Sequence, residues 1–176
     1  YYFINLLFFS ILFFYISCGL GAALLHTGVN YFMFHHGLDA LIEAGFNPTE
    51  IYALLNDGRM DTTWIDTLGN SGLSNFTGAF ASPAVGASGA IYGLLVAFAF
   101  MVPNAELALM FIPIPIKAKY FVPGLLCIDL FLGLKGESIF GGASGIAHFA
   151  HIGGALVGFL MMWYWKKNQF GKNRWN

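Results

Sequence analysis

The chain has 176 residues, 57% of them hydrophobic, 18% aromatic and only 10% charged, with a mean hydropathy of +0.67; it is too apolar for a soluble domain of this size and belongs in a lipid bilayer. Its formal net charge of -1 offers no field of clustered Lys and Arg for neutralising phosphates, which excludes nucleic acid as a partner. Cys18 and Cys127 both lie in apolar runs, where a thiol packs as a small hydrophobe, so neither a disulfide framework nor a zinc cluster is expected.

The first apolar stretch, Tyr1 to about Tyr31, starts with no basic region before it, so it reads as a spanning helix and not as a secretory signal peptide. Because the stretch opens at once, the chain reads as a fragment lacking its upstream part. Residues 33–84 then form a long connection outside the bilayer, with short helices of its own. Asn47-Pro48-Thr49-Glu50 spells an N-cap, a proline at the first helical position and a capping-box acid, and Gly58 offers a stop. The end of this connection, GNSGLSNFTGAFASPAVGASG, is rich in Gly, Ser and Asn and reads as a flexible approach to the next span. Asn75-Phe76-Thr77 matches a glycosylation sequon, a three-residue match of little weight.

A second span runs from about Ser88 to Val102 and a last one from about Ala147 to Trp165. Between them Tyr120–Leu134 is shorter and carries Pro123 and Asp129, which marks a span packed on its neighbours instead of facing lipid all round. Four spans are therefore expected. Lys166, Lys167, Lys172 and Arg174 follow the last span and Lys117 and Lys119 precede Tyr120, whereas residues 33–84 hold six acids and Arg59 as their only base. By the positive-inside tendency the C-terminus and the 103–119 loop face the cytoplasm and residues 33–84 face outside.

Chemistry concentrates in Gly86-Ala87-Ser88-Gly89 at the start of the second span and Ala150-His151-Ile152-Gly153-Gly154 near the start of the last. Ser88 and His151 each stand about fifteen residues above the same interface, ~22 Å at the helical rise, so they share a depth. A serine and a histidine so placed form a nucleophile and base pair. Gly89 with Gly93, and Gly154 with Gly158, are small-xxx-small pairs that let the two backbones touch there. Tyr92, one turn after Ser88, can pack on the imidazole, and the helix start beside Ser88 with Gly86 before it suits an oxyanion. His148 lies one turn before His151, where it holds water at the entrance or is simply a polar helix end.

Gly142-Ala143-Ser144-Gly145 repeats the GASG tetrapeptide, but Ser144 is two turns, ~10.5 Å, from His151 and sits in a glycine-rich loop, so Ser88 is preferred. Asp129 is read as mid-span, well below the level of Ser88 and His151, with its role open. His26, His35 and His36 have no metal-ligand spacing with any acid or cysteine.

The paired GASG (86–89) and AHIGG (150–154) motifs resemble those of the rhomboid intramembrane serine proteases, and the likeness extends over about residues 87–165, including PNAELALMFIPIPIKAKYF, as in bacterial members. It implies an all-α, polytopic membrane protein: a rhomboid-like helical bundle with about four transmembrane helices of a six-helix core, in a single domain over 1–165 and a basic cytoplasmic tail over 166–176. It implies Ser88 as nucleophile, His151 as base, Gly86 in the oxyanion region and Tyr92 stacked on the base. The substrates implied are transmembrane segments of membrane proteins, cut in a bacterial cytoplasmic membrane, with no metal or organic cofactor required. The family's HxxxN pair, borne on the second helix, has no counterpart if Tyr1–Tyr31 is the third helix. His26 and Asn30 spell that pattern, and serve as the oxyanion pair only if this segment is the second helix instead.

Two other classes compete. A non-catalytic rhomboid-like protein that binds membrane clients typically lacks the serine or the histidine, and both are present here. A small channel or transporter would use Asp129 and the histidines as pathway residues. Nothing in the sequence favours that reading.

Overall fold

The computed structural model describes residues 2–81, 87–109, 112–135 and 147–168. Six helices occur among them: α1 (Tyr2–Glu43), α2 (Pro48–Asn56), α3 (Trp64–Ala81), α4 (Ser88–Met101), α5 (Ala118–Lys135) and α6 (Ala147–Asn168). A two-stranded antiparallel hairpin, β1 (Glu106–Leu109) and β2 (Ile112–Lys117), joins α4 to α5 and pairs Glu106 with Lys117 and Leu107 with Ile116. The chain divides into two units, one of Tyr1–Leu25, Gly86–Asp129 and Ala150–Asn176, the other of His26–Val85 and Leu130–Phe149.

In the first unit, α1, α4 and α6 meet around Phe14, Cys18, Ala90 and Met162, and α4, α5 and α6 around Val96, Val122 and Ala155. Cys18, Ala90 and Ala155 are the small side chains buried at these contacts, while Phe9, Phe13, Leu20 and Leu24 of α1 point outward, the last 75% exposed. Small residues let membrane helices approach closely, and large apolar side chains left outward suit the acyl chains of a bilayer. Residues Phe8–Glu43 of α1 are long and apolar enough to cross a membrane, with a mean hydropathy of 2.1. Helix α4 is apolar but spans only 14 residues.

The foot of α5 is tied to the end of α4 by the Ala118 and Lys119 N–H groups, which donate to the carbonyls of Ala105 (2.8 Å) and Pro103 (3.1 Å). That sets α5 rising from the level at which α4 ends. Cys18 is fully buried, as a packing cysteine should be, but Cys127 is exposed.

The second unit has an aromatic core. Trp64 and Phe76 pack edge to face at 5.9 Å, Phe34 stacks on Phe76 at 5.2 Å, and Leu38, Leu41, Ile51 and Leu55 close around them. Helix α2 begins as its sequence specifies: Asn47 caps it by accepting from the Thr49 N–H (2.9 Å), Pro48 is its first residue, and Gly58 leaves with φ +67°. Two expectations are corrected here. Helix α1 does not end near Tyr31 but runs to Glu43, because Phe34, Leu38 and Leu41 recur at helical spacing and bury one face.

Residues 70–81 of the glycine-rich approach are not a flexible linker but the body of α3, and 82–86 lie outside the described residues. Leu73 and Phe76 give α3 an apolar face, and its irregularity is confined to Gly69, at φ 68°. The sequon lies within this helix, with Phe76 buried and the Thr77 hydroxyl donating to the Leu73 carbonyl (2.9 Å). Gly86, Ser144 and the GASG repeat at 142–145 lie outside the described residues.

Candidate active site

Helix α4 opens at Ser88, with Ala87 as its N-cap, and its first helical bond is from the Ile91 N–H to the Ala87 carbonyl (3.0 Å). The N–H groups of Ser88, Gly89 and Ala90 precede that first bond and so have no partner within the helix, and the positive end of the helix dipole lies at the same point. Ser88 itself is exposed, whereas Gly89 and Ala90 behind it are buried.

Across from it, α6 carries His151 on its second turn. Its Nε2 lies 3.1 Å from Ser88 Oγ, a hydrogen-bonding distance between a hydroxyl and an imidazole. The Tyr92 ring, one turn after Ser88, lies flat on the imidazole, with centroids 4.1 Å apart and planes within 4°. Stacking of this kind fixes the ring plane and leaves rotation about the ring edge to be set by hydrogen bonds.

The close approach rests on backbone contacts that only glycine permits. A Cβ on Gly154 would fall on the Gly89 carbonyl oxygen, one on Gly158 would stand 2.8 Å from Gly93 Cα, and one on Gly93 would strike Cys18. Glycines 89, 93, 154 and 158 thus line one seam between α4 and α6. Helix α1 closes the seam from a third side, since a Cβ on Gly89 would also meet Ala22.

The position of Asp129 differs from the sequence expectation. It does not lie well below the pair: its Oδ1 is 3.2 Å from His151 Nδ1, and the residue is buried at 4% exposure. Counting from the middle of a short span misplaced it. Helix α5 starts at Ala118, level with the end of α4, so Asp129 stands eleven residues up, ~17 Å, against thirteen residues, ~20 Å, from Met101 back to Ser88. The available signal was the residue itself, since a lone carboxylate in an apolar helix costs several kcal/mol unless something holds it.

His148 is half-buried on the first turn of α6, one turn before His151. His26 and Asn30 hydrogen-bond to each other on α1 (Asn30 Nδ2 to His26 Nε2, 3.2 Å) and line a cavity with Phe34 and Phe80. No metal or organic group is required by the chemistry this arrangement allows: a hydroxyl beside an imidazole nitrogen, at the N-terminus of a helix, suits acyl transfer.

Comparison with known proteins agrees with these features. The chain is 34% identical over 89 residues to "Rhomboid protein 1, mitochondrial" of Saccharomyces cerevisiae, a match that covers 51% of this chain and 24% of that relative's length. No solved structure matches it significantly. The family model for the Rhomboid domain matches residues 5–168, nearly the whole chain, so the helical bundle built around α4 and α6 is that of an integral membrane protein belonging to the rhomboid family.

Proposed function

We propose that the chain is an intramembrane serine endopeptidase that cleaves transmembrane segments of membrane proteins, with Ser88 as nucleophile and His151 as general base. The observation that carries this reading is the 3.1 Å contact of Ser88 Oγ with His151 Nε2 at the N-terminus of α4. A substrate segment enters from the bilayer and unwinds locally to offer a peptide carbonyl. The Ser88 oxygen attacks the carbonyl carbon as its proton passes to Nε2. The oxyanion formed is held by N–H groups at the start of α4, with Gly86 allowing close approach.

His151 then gives the proton to the leaving amine as the C–N bond breaks, and water hydrolyses the acyl-enzyme by the same base. To His148, one turn before His151 on α6, we assign the ordering of that water. In this reading the end of α4, the β1–β2 hairpin and the C-terminus face the cytoplasm, on the side of Lys117, Lys119, Lys166 and Lys167. Residues 33–84 face outside, and the single membrane domain runs to about residue 165.

The test is labelling of the purified protein in detergent with a fluorophosphonate, together with cleavage of a model transmembrane substrate in proteoliposomes. Wild type and Ser144→Ala should label and cut, and Ser88→Ala should do neither. A Ser88→Ala protein that cuts at the wild-type rate ends the proposal, and a folded wild type that neither labels nor cuts supports the client-binding reading instead.

The stacked ring makes its own prediction. Tyr92→Leu should lower kcat about 2- to 10-fold, the worth of one aromatic pair, whereas Tyr92→Phe keeps the ring and should stay within about twofold. Equal losses in the two variants would show that stacking is not what the residue contributes.

A further inference from the structure

Asp129 is the one acidic residue of α5, and a buried carboxylate in an apolar helix is costly unless it is hydrogen-bonded and its charge is answered. His151 Nδ1 stands 3.2 Å from it, while the other ring nitrogen faces Ser88 Oγ at 3.1 Å. The two contacts are on opposite sides of one ring, and their chemistry is not independent. An ionised carboxylate has only acceptor oxygens, so the Nδ1 beside it must carry the proton. In the neutral ring Nε2 then holds the lone pair, and it is the lone pair that faces the serine hydroxyl.

The geometry points to Asp129 as a positioning residue that converts the Ser88–His151 pair into a three-membered relay. It fixes the imidazole tautomer and orientation, and its charge balances the imidazolium formed when Ser88 is deprotonated. This rests on the catalytic reading of Ser88 and His151, to which it adds a group that the paired GASG and AHIGG motifs do not include. Proton accounting closes without any transfer to Asp129. One proton moves from Ser88 Oγ to Nε2 as the Oγ–C bond forms, the same proton leaves Nε2 for the amine nitrogen as the C–N bond breaks, and the carboxylate stays ionised throughout. Tyr92 holds the plane of the ring, and Asp129 sets its rotation within that plane.

Asp129→Asn separates this role from simple packing, because the amide keeps the shape but can present an N–H to Nδ1 and so favour the tautomer that cannot accept the serine proton. The expected loss in kcat is roughly 10- to 100-fold, short of the ~10⁴ seen when a serine protease loses its carboxylate, because the stacked tyrosine still holds the ring. KM should change less than about twofold. Fluorophosphonate labelling should slow by the same factor as kcat yet reach full amplitude, since the sites remain folded.

A loss confined to labelling amplitude, with the per-site rate constant intact, would mean that Asp129 only supports the fold and would overturn the inference, as would full kcat in the variant. Should the variant fail to fold, ¹⁵N NMR of the wild type decides the matter. With the ring signals assigned by comparison with His151→Gln, the neutral His151 ring should carry its proton on Nδ1, and a proton on Nε2 overturns the inference. Ser88→Ala is run in parallel: wild-type cleavage in that variant removes the catalytic reading itself, whereas an inactive Ser88→Ala beside a fully active Asp129→Asn removes this inference alone.

Discussion

Replacing Ser88 by alanine, His151 by alanine, or both together should slow cleavage of a transmembrane substrate by one and the same factor, on the order of 10⁴ or more. A nucleophile and its base act as a unit. Once the Ser88 hydroxyl is gone, the imidazole 3.1 Å away has no proton to take, and once the imidazole is gone the hydroxyl remains a weak nucleophile. The second substitution therefore costs nearly nothing. Two losses that multiply would mean that the residues act in separate steps or in separate sites, and the proposed mechanism would fall. The residual rate in all three variants measures the helix N-terminus and substrate binding alone. Each variant removes a polar side chain without filling the α4–α6 seam, so thermal unfolding in detergent should move far less than the rate does.

The reach of the sequence differed from element to element, for physical reasons. The starts of α4 and α6 were legible because composition changes abruptly there and because two short motifs mark them. The depth match of Ser88 with His151 followed from counting along rigid helices of fixed rise. Asp129 escaped the same count because its helix was measured from a foot set two residues too high, and because a hydrogen bond between different helices depends on tilt and rotation that no single segment encodes. The 69–81 stretch escaped because Gly, Ser and Asn favour turns in isolation, while the buried face provided by Leu73 and Phe76 against Trp64 overrode that preference.

Alternating Ile and Pro in 112–116 disguised a strand, since proline usually argues against one and is tolerated only where its missing N–H is not needed. The small residues Cys18 and Ala22 on α1 were visible as sequence. Only the packing makes them the third wall of the glycine seam.

That seam gives the second large effect. Gly154→Val should both unfold the protein more readily, by about 3 kcal/mol or more, and slow cleavage by about 100-fold or more in whatever fraction stays folded. Overpacking a close contact normally costs ~1–3 kcal/mol because neighbouring side chains shift to make room. Here the obstacle is backbone: the new Cβ falls on the Gly89 carbonyl oxygen, with the Gly89 carbonyl carbon 2.6 Å and the Cys18 oxygen 3.3 Å away. No rotamer change can relieve that clash, so α4 and α6 must separate.

Gly89 adjoins Ser88, and Gly154 lies one turn beyond His151, so a separation of even ~1 Å opens the hydrogen bond between them and costs on the order of 10²-fold in rate. Gly124 of α5 is the control, because a Cβ there meets nothing within 4 Å. Gly124→Ala should leave cleavage unchanged and stabilise α5 by about 0.5–1 kcal/mol through the lower entropy of the unfolded chain. Unfolding in detergent monitored by circular dichroism, paired with cleavage per folded molecule, separates the two glycines. A Gly154→Val protein as stable and active as wild type would show that the helices do not meet along this seam, and the proposed role of the Ser88–His151 contact would lose its physical basis.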